Sequence, residues 1–169
     1  MKEGAFVSYL FKHSLWIALF ASIGTLGTVF VAEYGFLLKP CVLCVYQRWP
    51  YAAVIAIVIL ALIFRNSLSR IYFQGAAAIA FAVTSGVGAY HVGVEKGWWL
   101  GSAECSADTS ASLSLQDLRA QIMSAPLVKC NEVAWELFGI SMAGYNFLFA
   151  AVMVIFMIAA MWQNLTEAK

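Results

Sequence analysis

Residues 14–32 read SLWIALFASIGTLGTVFVA, nineteen residues without one charged side chain. An α-helix needs about 20 apolar residues to cross a bilayer core of roughly 30 Å. Two later stretches read the same way. Residues 71–90, IYFQGAAAIAFAVTSGVGAY, are interrupted only by Gln74 and a few small or hydroxyl side chains. Residues 143–162, AGYNFLFAAVMVIFMIAAMW, hold Asn146 as their one strongly polar member. A fourth run, residues 49–64, has sixteen residues. At 1.5 Å per residue it reaches only about 24 Å, so this span must begin near Cys44 and carry Gln47 and Arg48 in its first turns. Pro50 fits only a first helical turn or a kink, and predicts an irregular start.

The composition agrees with four spans. Of the 169 residues, 63% are hydrophobic and 11% charged, with a mean hydropathy of +0.82. A soluble domain carries about 25% charged residues, and half of that cannot cover a water-facing surface. Disorder requires low hydrophobicity and high net charge. A net charge of +1 provides no basic field for nucleic acid. The expected fold is an all-α integral membrane protein, a single domain over 1–169 built as a four-transmembrane-helix bundle. Its helices fall near 14–32, 45–64, 71–90 and 143–162. The first is read as a retained span, because its apolar run exceeds that of a signal peptide and no A-x-A site follows.

Four helices put both termini and the 65–70 turn on one side, and loops 33–44 and 91–142 on the other. The turn Arg65-Asn-Ser-Leu-Ser-Arg70 has two basic and no acidic residues. The positive-inside rule places it and both termini in the cytoplasm. In the long second loop, Ser114-Leu-Gln-Asp117 resembles a capping box, with Leu115, Leu118 and Ile122 forming one apolar stripe. A short surface helix is expected there, and a second one from Asn131 through Phe138. Trp98, Trp99 and Trp135 suit the membrane interface, where indole has one apolar and one wet side.

The four cysteines, Cys41, Cys44, Cys105 and Cys130, all map to the outer loops under this topology. An even number facing an oxidising compartment points to disulfides. Pro40-Cys-Val-Leu-Cys44 opens the second span, where the helix dipole favours a thiolate. Arg48 lies one turn beyond Cys44. Its guanidinium can stabilise that thiolate and donate to an oxygen of a partner molecule. Zinc would call for a second tight ligand group, and Cys105 and Cys130 stand 25 residues apart. No metal site is therefore read. A Cys105–Cys130 bridge would close a loop whose Ser- and Ala-rich start suggests an exposed, exchangeable disulfide. Two such pairs suggest a relay, one taking electrons from outside and the other passing them on. There is no flavin fingerprint, and Val45 after Cys44 excludes Cys-x-x-Cys-His haem attachment. A membrane quinone suits a dithiol beside the bilayer, with His91 and Glu95, one helical turn apart, lining its pocket.

These features resemble the disulfide bond formation protein B (DsbB) family. The resemblance rests on four spans, the segment Pro40-Cys-Val-Leu-Cys-Val-Tyr-Gln-Arg48 and the later Cys105/Cys130 pair. It covers nearly the whole chain, although Gln47 stands where some members have an acid. The resemblance implies a bacterial inner-membrane enzyme with its cysteines in the periplasm. It would reoxidise a DsbA-like thioredoxin-fold oxidase and pass two electrons to ubiquinone or menaquinone. By matching position, Cys105 would receive the partner and Cys130 would attack Cys41. Cys44 would then be the free thiolate facing the quinone, with Arg48, His91 and Glu95 around the cofactor. Two rivals remain at this level. One is a four-helix membrane reductase running electrons the other way; the other is a structural protein with inert disulfides.

Overall fold

The computed structural model describes residues 8–64, 66, 69–102, 105 and 128–167. Helix α1, Ser14–Phe30, continues into a π-helical turn at Val31–Gly35. A short helix α2, Val42–Tyr46, runs through a break at Gln47 into α3, Arg48–Ile63. Pro50 has no N–H to offer the Tyr46 carbonyl, which accounts for irregularity at this point. Helix α4 is Arg70–Glu95 and α5 is Met142–Glu167. The four membrane-crossing segments are Ser14–Gly35, Val42–Ile63, Arg70–Glu95 and Met142–Thr166. With α2 included, the second has 22 residues, enough for about 33 Å. The protein is an all-α, multi-pass, four-helix membrane protein.

Helices α4 and α5 pack most extensively on each other, and α3 lies between α4 and α1. On α3, Tyr51, Val54, Val58 and Ala61 point inward at helical spacing. Tyr51, Val54 and Val58 cluster with Ala77 and Phe81 of α4, Met153 and Met157 of α5, and Ala18 of α1. Small residues let the helices approach, because in lipid it is packing that drives helix association. At Gly88 a Cβ would lie 3.2 Å from the Phe147 backbone. Ile59, Ile63, Ile79, Val83, Val152 and Ile155 face outward, as a lipid-exposed surface requires. At the end away from the cysteines, Gln74 donates to Ser14 (2.9 Å) and accepts from Asn164 (2.8 Å), tying α1, α4 and α5 together.

The second loop departs from expectation. Instead of a helix from Asn131 to Phe138, there is an antiparallel hairpin of β1, Glu136–Leu137, and β2, Ile140–Ser141. Phe138 (φ 52°) and Gly139 (φ 75°) form its turn. Two consecutive positive φ angles make the tight turn whose twist matches paired strands, and Gly139 permits it. The helix expected over 114–122 lies outside the described residues. At the end of α4, Gly97 takes φ 70°, and the Trp98 N–H bonds back to the Gly93 carbonyl at 2.9 Å. This is a glycine helix stop. Trp99 then folds onto Gly93 and stacks on Tyr90, its indole N–H donating to the Tyr90 carbonyl at 2.9 Å.

Candidate functional site

The break between α1 and α2 delivers Cys41 to the start of the second span. Cys41 has extended backbone (φ −78°, ψ 172°) and caps α2, its sulfur accepting from the Cys44 N–H at 3.3 Å. A helix start that offers N–H groups to an acceptor favours an anion there. Cys41 and Cys44 are free thiols, and their sulfurs are hydrogen-bonded to each other at 3.0 Å. That bond is the main reason the Cys41 thiol drops from 9.0 to about 4. Burial opposes the shift and His91 reinforces it. In this dithiol the negative charge therefore belongs on Cys41.

Helix α4 runs on past residue 90 and brings His91 against this pair. Its Nε2 lies 3.5 Å from the Cys41 sulfur and 3.8 Å from a Glu95 carboxylate oxygen. The backbone of Cys130 also faces the ring. Glu95 accepts from the Ser141 hydroxyl, which caps the start of α5 by accepting from the Gly144 N–H at 3.1 Å.

Cys105 and Cys130 form a disulfide. It was expected to be exposed, yet Cys105 is 4% and Cys130 0% exposed. Both pack with Cys41, Leu43 and Val94 in one cluster, with Cys44 at its edge. The apolar residues Leu43 and Val94 give the bridge a surface to bury against, which composition around Cys105 alone did not suggest. The two cysteine pairs thus share one hydrophobic patch at the end of the bundle.

Arg48 takes a different partner from the one sequence suggested. It pairs with Glu33 of the π turn at 2.5 Å and lies over the Phe30 ring at 5.4 Å. The extra residue of a π turn often marks a functional site, and here that turn carries Glu33. A cleft opens beside these groups, lined by Cys41, Cys44, Arg48, His91 and Glu95, with Leu26, Val29 and Met142 among its apolar walls. All of the expected site residues except Cys105 and Cys130 line it, and those two pack with Cys41 in one buried cluster.

Gln47 and Asn146 complete the site, and neither was singled out from sequence as functional. Gln47 is buried and donates to His91 Nδ1 at 3.0 Å, while Asn146 donates to Gln47 at 2.6 Å. Two amides within apolar helices were the available signal, since polar groups in a span need partners. Glu33, a carboxylate at the end of a nineteen-residue apolar run, was another.

The sulfurs of Cys41 and Cys44 and a His91 nitrogen lie within 4.8 Å of one another, a spacing that a thiophilic cation can bridge. A closed structural zinc site takes four ligands, and here the His91 Nε2 is engaged with the Cys41 sulfur. The donor set suits a quinone better. Such a ring needs apolar walls and hydrogen-bond donors at its oxygens, and the cleft offers Leu26, Val29 and Met142 together with Arg48 and His91.

The family described as disulfide bond formation protein DsbB matches residues 12–160. An uncharacterized protein of Rickettsia prowazekii (strain Madrid E) is 37% identical over 138 residues, covering 80% of this chain and 79% of its own. A disulfide bond formation protein B of Albidiferax ferrireducens is 26% identical over 156 residues, covering 87% of this chain and 85% of its own. The family match spans nearly all of the chain and includes the Cys41–Arg48 segment and both later cysteines. The protein is a membrane oxidoreductase of disulfide bond formation, and the chain belongs to the DsbB family.

Proposed function

We propose that the protein is an inner-membrane thiol:quinone oxidoreductase that reoxidises a periplasmic, DsbA-like dithiol oxidase. The observation that carries this reading is the shared cluster of Cys41, Cys105 and Cys130 beside a cleft edged by Cys44, Arg48 and His91. Inert staples would have no need of one another, whereas a relay needs its two pairs adjacent.

A thiolate of the reduced partner attacks the Cys105 sulfur, the Cys105–Cys130 bond breaks, and Cys130 leaves as a thiolate. Cys130 then attacks Cys41 of an oxidised Cys41–Cys44 pair, and Cys44 leaves as a thiolate. The partner's second thiolate displaces Cys105, so the partner departs oxidised and Cys105 is left as a thiol. A bound quinone supplies a two-electron, two-proton acceptor. Arg48 would hold that cofactor's oxygen or the Cys44 thiolate, His91 would hold or move a proton beside Cys41, and Glu95 would orient His91. The Cys105 thiolate then attacks Cys130, the Cys41–Cys130 bond breaks and Cys41 leaves as a thiolate. This restores the Cys105–Cys130 bridge and leaves a reduced Cys41–Cys44 pair, whose two electrons and two protons a bound quinone would accept as that disulfide is remade. Two thiols are oxidised in each cycle and one quinone is reduced. Ubiquinone and menaquinone both have the chemistry for this role.

Trapping of a reduced Cys-x-x-Cys partner tests the order of events. A partner stripped of its second cysteine should accumulate as a mixed disulfide with Cys105 of the otherwise unaltered protein, because nothing then displaces it, and Cys105→Ser should accumulate none. Equal trapping by Cys105→Ser would overturn the assigned entry point.

A further inference from the structure

We propose that Gln47 is a positioning residue that fixes His91 as the neutral Nε2–H tautomer, aiming that proton at the Cys41 sulfur. The inference deepens the redox reading of the cluster and rests on it for its functional meaning. The tautomer itself rests on hydrogen-bond directions alone.

Two backbone carbonyls set those directions, because a carbonyl can only accept. The Gln47 side-chain nitrogen lies 3.3 Å from the Leu43 carbonyl, so the amide N must face that way. The Thr84 hydroxyl donates to the Gln47 carbonyl at 2.9 Å, so its oxygen is left to accept. It accepts from the Asn146 amide nitrogen at 3.2 Å. Asn146 is thereby oriented too, its oxygen accepting from the Tyr51 hydroxyl at 2.5 Å. Its nitrogen also donates to the Gln47 side-chain oxygen at 2.6 Å. Both amides therefore have one self-consistent orientation, with no choice left to either.

In that orientation the Gln47 N–H points at His91 Nδ1 at 3.0 Å. A proton on Nδ1 would face a donor, so Nδ1 accepts and the ring proton sits on Nε2. That atom faces Cys41 at 3.5 Å and Glu95 at 3.8 Å, while the Cys130 backbone also reaches the ring. Among the described residues, Cys41, Cys44 and Glu95 are the titratable groups that face this ring. Gln47, Tyr51, Thr84 and His91 are 6%, 2%, 0% and 2% exposed. Water is not at hand to replace any of these bonds, and an unmet buried partner is costly. Glutamate at position 47 would accept where glutamine donates. The proton would then move to Nδ1, and Nε2 would either lose its hydrogen or become part of an imidazolium.

The chain has two histidines, so a His13→Gln background leaves His91 as the single ring for ¹⁵N NMR of the full-length protein in lipid nanodiscs. The expected spectrum is one neutral Nε2–H species. Gln47→Glu should abolish that signature, in favour of Nδ1–H or the doubly protonated ring. A merely structural role for Gln47 would leave the tautomer unchanged in Gln47→Glu, and that result overturns the proposal. So does an Nδ1–H ring in the parent, which decides the matter even if the variant does not fold. Because no turnover is involved, an Nε2–H ring in a protein without quinone-dependent activity would sink the redox reading and leave the tautomer assignment standing.

Discussion

The Nε2 atom of His91 lies 3.5 Å from the Sγ of Cys41, across fifty residues of sequence. This one contact joins the last turn of α4 to the start of the second span. It also places the ring beside the backbone of Cys130, so that it touches both cysteine pairs. The dithiol and the disulfide are therefore parts of one site rather than features of two separate loops.

Cys41 is held as a thiolate down to low pH. Its thiol falls from 9.0 to about 4, so the charged form predominates above about pH 4. A depressed value stabilises the folded dithiol fully above the unfolded thiol's range, and that stability is lost as pH falls through about 4. In a Cys105→Ser/Cys130→Ser variant, ultraviolet thiolate absorbance should stay nearly constant at neutral pH and collapse near pH 4. Cys44→Ala, which removes the largest cause, should move that midpoint upward. A midpoint near 9 in the parent would show that Cys44 and His91 do not stabilise the anion.

Glu33 sets the position of Arg48. Both side chains are partly exposed, at 22% and 18%, so the pair is worth about 1 kcal/mol at most. Glu33→Gln should raise the KM for quinone by roughly fivefold or less, the factor equivalent to that energy. Trapping of the thiol partner should not change. Steady-state kinetics over a quinone titration reads the difference. A fall in partner trapping instead would place Glu33 at the entry step.

Long-range order was legible to different degrees in the sequence. Four spans could be read because lipid demands uninterrupted apolar runs, and the structure has them at Ser14–Gly35, Val42–Ile63, Arg70–Glu95 and Met142–Thr166. Cys41, Cys44 and Arg48 stood out because they lie within eight residues of one another. Arg48's pairing with Glu33 could not be read, because it depends on a π turn whose extra residue has no periodic signature. The hairpin at Glu136–Ser141 was hidden for a related reason. Phe138 adopts a positive φ that only the neighbouring Gly139 hints at. The amide chain from His91 through Gln47 to Asn146 links residues up to 99 positions apart, a relation fixed by packing and not by spacing.

Close approach of α4 and α5 depends on Gly88. A Cβ there meets the Phe147 backbone at 3.2 Å, whereas one at Gly86 meets nothing within 4 Å. Gly88→Val should destabilise the bundle by about 1–3 kcal/mol through overpacking. Gly86→Ala should be neutral or stabilising by up to about 1 kcal/mol, through helix propensity. Thermal unfolding in one detergent compares the two. Equal midpoints would show that the helices can separate at Gly88 without cost.

In the proposed relay the two cysteine pairs act in series toward a quinone. The most direct measurement is quinone reduction by the purified, lipid-reconstituted protein, supplied with a reduced Cys-x-x-Cys thioredoxin-fold partner. One quinone should be reduced for each partner disulfide formed, with complete loss of turnover in Cys44→Ser and a large loss in Arg48→Ala. Turnover at the wild-type rate in Cys44→Ser would contradict the relay.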